Sequence, residues 1–128
     1  MSQSLSKIPI KITVEGKGEA TGFFDRLTAP LTVGEIVRKL PINARVTPSF
    51  GSVSVLIGIN RGTEKPLSKV KAGTIAYWPR GDAICFYPKD TKPYGLVNKL
   101  GEIQEGLELF NNVRSRTRIK IERLNLEE

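Results

Sequence analysis

Period-two alternation of apolar and polar residues, repeated in three separate stretches, constrains this chain more than any other feature. In Lys7 to Val14 (KIPIKITV), Ile8, Ile10, Ile12 and Val14 fall on one face, and Lys7, Pro9, Lys11 and Thr13 on the other. SVSVLIGIN groups Val53, Val55, Ile57 and Ile59, and RSRTRIKIERL sets Thr117, Ile119 and Ile121 against Arg116, Arg118, Lys120 and Glu122. Side chains alternate across a pleated strand but spiral round a helix, so each stretch reads as a half-buried strand. Pro9 has no amide proton to give, which implies that part of the first strand lacks one pairing partner.

Turn residues separate these strands from others. EGKG at residues 15–18 lets EATGFF return as the second arm of a hairpin. NRG at 60–62 ends SVSVLIGIN, and EKPLSKVKAG is a polar connection reaching Gly73. TIAYW, the bend at Pro79 to Asp82 and AICFY make a second hairpin; KDTKPYG is a loop and LVNKLGEI a further strand. The period changes to helical in two places only. Val33 to Leu40 carries an apolar stripe of Ile36, Val37 and Leu40, with Thr32 and Glu35 at capping-box spacing and Pro41 as the stop. Its expected role is to cover an open end of a sheet or barrel. Glu105 to Val113 spaces Leu107, Phe110 and Val113 as a second helix, with Glu105 and Glu108 near its start, where negative charge suits the helix dipole.

Short antiparallel strands in this number favour closure, because a closed sheet has no exposed edge. The expected fold is mainly β: a closed or nearly closed antiparallel barrel with two short helices, forming one domain over residues 1–128. No stretch approaches the roughly 20 apolar residues that span a bilayer, and the start of the chain has no charged flank followed by an apolar block, so the expectation is a cytoplasmic protein without membrane contact.

Residue usage narrows the chemistry. The chain has no histidine, which removes Ser/His/Asp and Cys/His triads, imidazole acid-base catalysis and the usual His/Cys zinc sets. Cys85 is the only cysteine, lies between Ile84 and Phe86, and reads as a small buried hydrophobe rather than an activated thiol. The acidic residues are scattered, so no metal site and no cofactor is expected. A net charge of +7 favours anionic partners or simply solubility.

From Ala72 to Leu124 three segments recur in an order that resembles the cyclophilin fold, and more closely a group of small cyclophilin-like proteins of archaea and bacteria whose function is not established. They are GTIAYWPRGDAICFY, LGEIQEGLELFNNV and RIKIERL. Prolyl isomerases of that fold use an Arg on a central strand to hydrogen-bond the proline nitrogen, an apolar floor for the proline ring, and a His at the rim. The corresponding strand here, GSVSVLIGIN, has no Arg, and the rim position falls near Val97. Twisting the prolyl amide requires help over a barrier of about 18–20 kcal/mol, for which an aimed guanidinium is the natural donor. Arg61 and Arg80 are the candidates for a relocated donor.

The resemblance implies a pocket in which Phe86 matches the apolar floor and Asn60 and Arg61 the polar stretch beside it, with Trp78, Arg80 and Tyr94 as neighbours. Taken alone, Phe86 fits an ordinary core aromatic better than a ligand contact. Three functions follow: a barrel binding an extended peptide or small ligand near residues 78–94 with little or no isomerase activity, a divergent peptidyl-prolyl isomerase, or a nucleic-acid binder. The last would use a cationic face merging Lys7 and Lys11 with Arg116, Arg118 and Lys120, although a solvated face explains the same pattern, and no aromatic interleaves with it.

Overall fold

The computed structural model describes residues 6–49 and 51–124. Eight antiparallel strands close into a barrel: β1 (Lys7–Val14), β2 (Gly18–Asp25), β3 (Ile42–Ser49), β4 (Ser52–Leu56), β5 (Thr74–Trp78), β6 (Ala83–Phe86), β7 (Asn98–Glu105) and β8 (Arg118–Arg123). Their order round the barrel is β1, β2, β7, β5, β6, β4, β3, β8, and β8 pairs with β1 to complete the ring. Both expected hairpins form, β1 with β2 and β5 with β6. Pro9 stands where the sequence implied a missing partner. The β8 ladder begins at Ile10, and the Pro9 carbonyl accepts only the closing bond from the Leu124 amide, at 2.9 Å.

The alternation fills the barrel. Ile8, Ile10, Ile12 and Val14 of β1, Val53 and Val55 of β4, and Ile119 and Ile121 of β8 are all buried in one interior cluster. At the β2–β7 seam the strands come so close that no side chain fits at two positions. A Cβ on Gly101 would stand 1.8 Å from the Phe23 carbonyl oxygen, and one on Gly22 would stand 2.2 Å from that of Glu102. The register of this pair shifts between Thr21 and Gly22, a bulge that bends the wall.

Helix α1 (Pro30–Lys39) buries Val33 and Ile36 against the interior cluster, plugging one end as expected. It starts three residues earlier than the sequence suggests, and Thr32 is not its cap. Ala29 occupies the cap position without a capping side chain. The Glu64 carboxylate, brought from a distant loop, accepts the Leu31 and Thr32 amides at 2.9 and 3.0 Å instead. A cap supplied from across the fold leaves no local signature.

Two further expectations are corrected, and one strand is added. The second helix is a single 3-10 turn, Leu107–Phe110, because β7 runs to Glu105 and Gly106 breaks the chain direction at φ 91°. The strand in SVSVLIGIN ends at Leu56 rather than Asn60; Asp82 draws the Ile59 and Asn60 amides out of any ladder, and Asn60 has φ 52°. Between α1 and β4 the chain forms a strand, β3, that the sequence reading left unassigned. INARVTPS has only Ile42, Ala44 and Val46 as alternating apolar residues and carries a proline.

Candidate functional site

The aromatic stretch at residues 73–88 is core on both faces of the barrel wall. On β5 and β6, Ile75, Tyr77, Ile84 and Phe86 point inward to the main cluster. The alternate residues Ala76, Ala83 and Cys85 lie outside the wall, packed with Tyr87, Val70, Val97 and Trp78 in a second cluster. The loops bearing Val70 and Val97 cover that outer face, so the strands lose the usual exposed side. Cys85 is buried as expected, and burial raises its thiol pKa although Ser54, Ser52 and Tyr87 contacts work the other way.

At the α1 end of the barrel a polar network fixes the loop after β4. The Tyr77 hydroxyl donates to Asp82 Oδ1 at 2.6 Å and accepts the Arg61 amide at 3.1 Å. The same Asp82 oxygen takes the Ile59 and Asn60 amides at 3.0 and 2.9 Å. Burial tends to raise the Asp82 pKa, but the Tyr77 hydroxyl and the Asn60, Ile59 and Gly58 amides outweigh it and hold the carboxyl below its ordinary value. Burial and the facing Asp82 push Tyr77 up to about 12. Asn98, fully buried, accepts the Glu64 amide at 2.7 Å and donates to the Gly62 carbonyl at 3.0 Å. Every partner in this network is satisfied within the fold.

The sequence-predicted residues divide accordingly. Asn60 and Arg61 belong to the network, and the Arg61 guanidinium is paired with Glu35 at 2.9 Å. Trp78, Arg80 and Tyr94 gather outside the β5–β6 turn: the Arg80 guanidinium lies 5.9 Å from the Tyr94 ring, and Tyr94 is exposed. The Trp78 ring lies against Gly81, where a Cβ would come within 2.3 Å, and its Nε1 is buried without a partner among the described residues. Phe86 is not with them. It is fully buried inside the barrel, stacked on Phe110 with ring centroids 4.9 Å apart.

Beside that stack runs a groove of about 580 Å³. Val53, Phe110 and Val113 lie along its base, Pro88 to Lys92 form one wall, and Ser49, Gly51, Ser52, Asn111 and Asn112 complete the rim. Ser52 hydrogen-bonds Ser49 and Ser54, and Ser54 donates to Cys85, so a chain of hydroxyls leads from the rim into the outer cluster. The sequence reading touched this groove through residues 88–92 and missed the rest. Phe110 and Val113 registered only as a helical stripe.

The basic residues expected on one face lie on or beside the paired strands β1 and β8, where they are engaged differently. Lys11 is held between Glu19 and Glu122 at 3.7 and 3.8 Å, and Lys7 lies over the Phe23 ring at 4.6 Å. Arg118 and Lys120 instead join Arg45 of β3 around a depression of about 500 Å³. Arg116 precedes the strand at φ 75° and adjoins this group through its carbonyl, which accepts from Arg45 at 3.4 Å. Among the described residues no cluster of His, Cys, Asp or Glu is arranged to hold a metal, and no helix is long and apolar enough to cross a membrane.

The architecture has relatives among solved structures. It matches the solution structure of the hypothetical protein AF2241 from Archaeoglobus fulgidus with a TM-score of 0.76 and 25% identity, over 97% of this chain and 100% of that one. It also matches McbB, solved in complex with tryptophan, with a TM-score of 0.68 and 17% identity, over 93% of this chain but 46% of McbB, so it spans less than half of that protein. No curated protein sequence matches it. The family model described as cyclophilin-like matches residues 8–122, almost the whole barrel, and on that match the chain belongs to the cyclophilin-like family.

Proposed function

We propose that this protein is a binding barrel that holds an extended peptide in the groove beside Phe110, without accelerating prolyl isomerisation. The groove itself carries the reading. Apolar side chains along its base, with hydroxyls and amides on the rim and lysines in the wall, are what a peptide with one anchoring apolar residue needs for affinity and orientation. Isomerisation asks for more: a donor aimed at the amide nitrogen as it twists. Among the described residues no Arg lines the groove, the Arg61 guanidinium is engaged by Glu35, and Arg80 lies by Tyr94.

The test is a titration of the labelled protein with short X-Pro peptides, reading amide shifts and the cis/trans exchange rate of the peptide together. Saturable shifts at Ser52, Thr91 and Asn112 with an unchanged exchange rate are expected. Accelerated exchange that disappears in Arg61→Ala or Arg80→Ala would replace this reading with a divergent isomerase. Shifts confined to Trp78 and Tyr94 would move the site to the other loop cluster.

A further inference from the structure

We infer that the outer face of β1, β8 and β3 is a second binding site, one that takes a small phosphomonoester through Arg45 and Arg118. Strand pairing sets Arg45 directly opposite Arg118, and Asn43 opposite Lys120, which in turn faces Thr13 of β1. Like charges set opposite each other on neighbouring strands destabilise a sheet, and a sheet normally answers them with carboxylates. Here the nearby carboxylates are spent elsewhere. Glu122 lies by Lys11 and Lys120, Glu19 by Lys11, and Glu15 accepts the Arg118 backbone amide at 3.1 Å. Neither the Arg45 nor the Arg118 guanidinium has an ion pair among the described residues.

What remains is a depression of about 500 Å³ lined by three cations and one carboxylate, Glu15, with the neutral polar groups Thr13 and Asn43 between them. Two guanidinium forks on adjacent strands match the paired oxygens of a phosphate, and a phosphate dianion between them removes the repulsion that the bare sheet carries. The Ala44 and Ile119 side chains belong to the interior cluster beneath this wall, so the apolar contact open to the rest of the ligand is with the methylene stems of Arg45, Arg118 and Lys120. Among the described residues no aromatic lines the depression, which argues for a small molecule over single-stranded nucleic acid, whose bases need stacking partners.

The experiment titrates the labelled protein with phenyl phosphate, inorganic phosphate and a short single-stranded oligonucleotide. The expected result is saturable binding of phenyl phosphate, tighter than that of inorganic phosphate, with shifts confined to Thr13, Asn43, Arg45, Arg118 and Lys120. Arg45→Ala and Arg118→Ala should each weaken it by about 10-fold or more without lowering the melting temperature, while Arg123→Ala at the far end of β8 should change it by less than about 2-fold. Equal loss in all three variants, no saturation, or preferential oligonucleotide binding spread over every basic surface would overturn the proposal. Inorganic phosphate binding as tightly as phenyl phosphate would overturn the assignment of a phosphomonoester.

Discussion

Removing one oxygen from Tyr77 tests whether the α1 end of the barrel is held by its polar network or merely by packing. The ring is fully buried, so Tyr77→Phe keeps the apolar contacts and deletes only the hydroxyl. Two hydrogen bonds go with it, the 2.6 Å bond to Asp82 and the 3.1 Å bond from the Arg61 amide. A bond to a charged group contributes about 1.5–3 kcal/mol and a neutral one about 0.5–1.5, so a loss of about 3 kcal/mol is expected. For a chain of this size that lowers Tm by on the order of 10 °C. Asp82→Asn removes the charge at the other side of the same bond, so the two losses should not add, and a double-mutant cycle should give a coupling of about 1 kcal/mol or more. The pH dependence supplies an independent sign. Tyr77 is raised from its ordinary 10 to about 12, so its contribution is complete below pH 10 and is lost as pH rises through about 12. Asp82 is depressed, so its contribution is present above its ordinary value and lost as pH falls through its folded pKa. Urea denaturation across pH should therefore show Tyr77→Phe flattening the alkaline limb and weakening the acid one. A Tm change under about 2 °C, or losses that simply add in the double variant, would refute the network's role.

Three further outcomes are expected. Glu64→Ala should cost about 1–2 kcal/mol in urea denaturation, because it removes the cap of α1. Burial tends to raise the Glu64 pKa, but the Leu31 and Thr32 amides, the Thr32 hydroxyl and Arg61 more than offset it. The stability it adds is therefore lost only as pH falls below the ordinary carboxyl range, and the variant should show a shallower acid limb. Gly101→Ala should destabilise by about 1–3 kcal/mol or more, since its Cβ meets backbone rather than a side chain that can move; a Tm equal to the parent's would mean that the β2–β7 seam yields freely. Cys85 should react with a thiol reagent only at the rate of unfolding, and rapid modification of the native protein would show that the outer cluster opens.

Most of the barrel was legible because one physical rule, burial on one face of a pleat, writes itself into neighbouring residues. Ile8, Ile10 and Ile12 announce β1 without reference to anything else in the chain. The failures have an equally definite cause: each depends on a partner far away in sequence. Glu64 caps a helix whose first residues are more than thirty positions earlier, with |i−j| of 33 for Leu31. Asp82 ends a strand over twenty residues before it, with |i−j| of 23 to Ile59. β3 reads poorly on its own and exists because β4 and β8 pair with it on either side. The site residues followed the same division. Aromatic density at 73–88 marked burial, which is a local signal, but not which burial: Phe86 went inward to Phe110, and Trp78 went outward.

Where ligands can bind on this fold follows from which walls are covered. The interior is filled by side chains from every strand and plugged by α1 and Phe110, so binding has to occur on the outside or at a rim. On the β5–β6 wall the outside is closed too, because the loops that carry Val70 and Val97 convert four consecutive residues of β6 into core. That covering moves open surface to the β3–β4 end, where the groove begins, and to the β1–β8–β3 wall, where alternate residues still face solvent. On the latter wall the strand pattern is polar outward as a solvated sheet requires. Yet the end pair of the β3–β8 ladder is two opposed arginines, an arrangement that costs stability and that solvation alone does not call for. Replacing Arg45 by Thr should therefore raise Tm slightly, by on the order of 1 °C, while abolishing phenyl phosphate binding. Such a stability gain coupled to a binding loss would identify the pair as retained for its ligand, whereas a loss of both would show that Arg45 serves the fold.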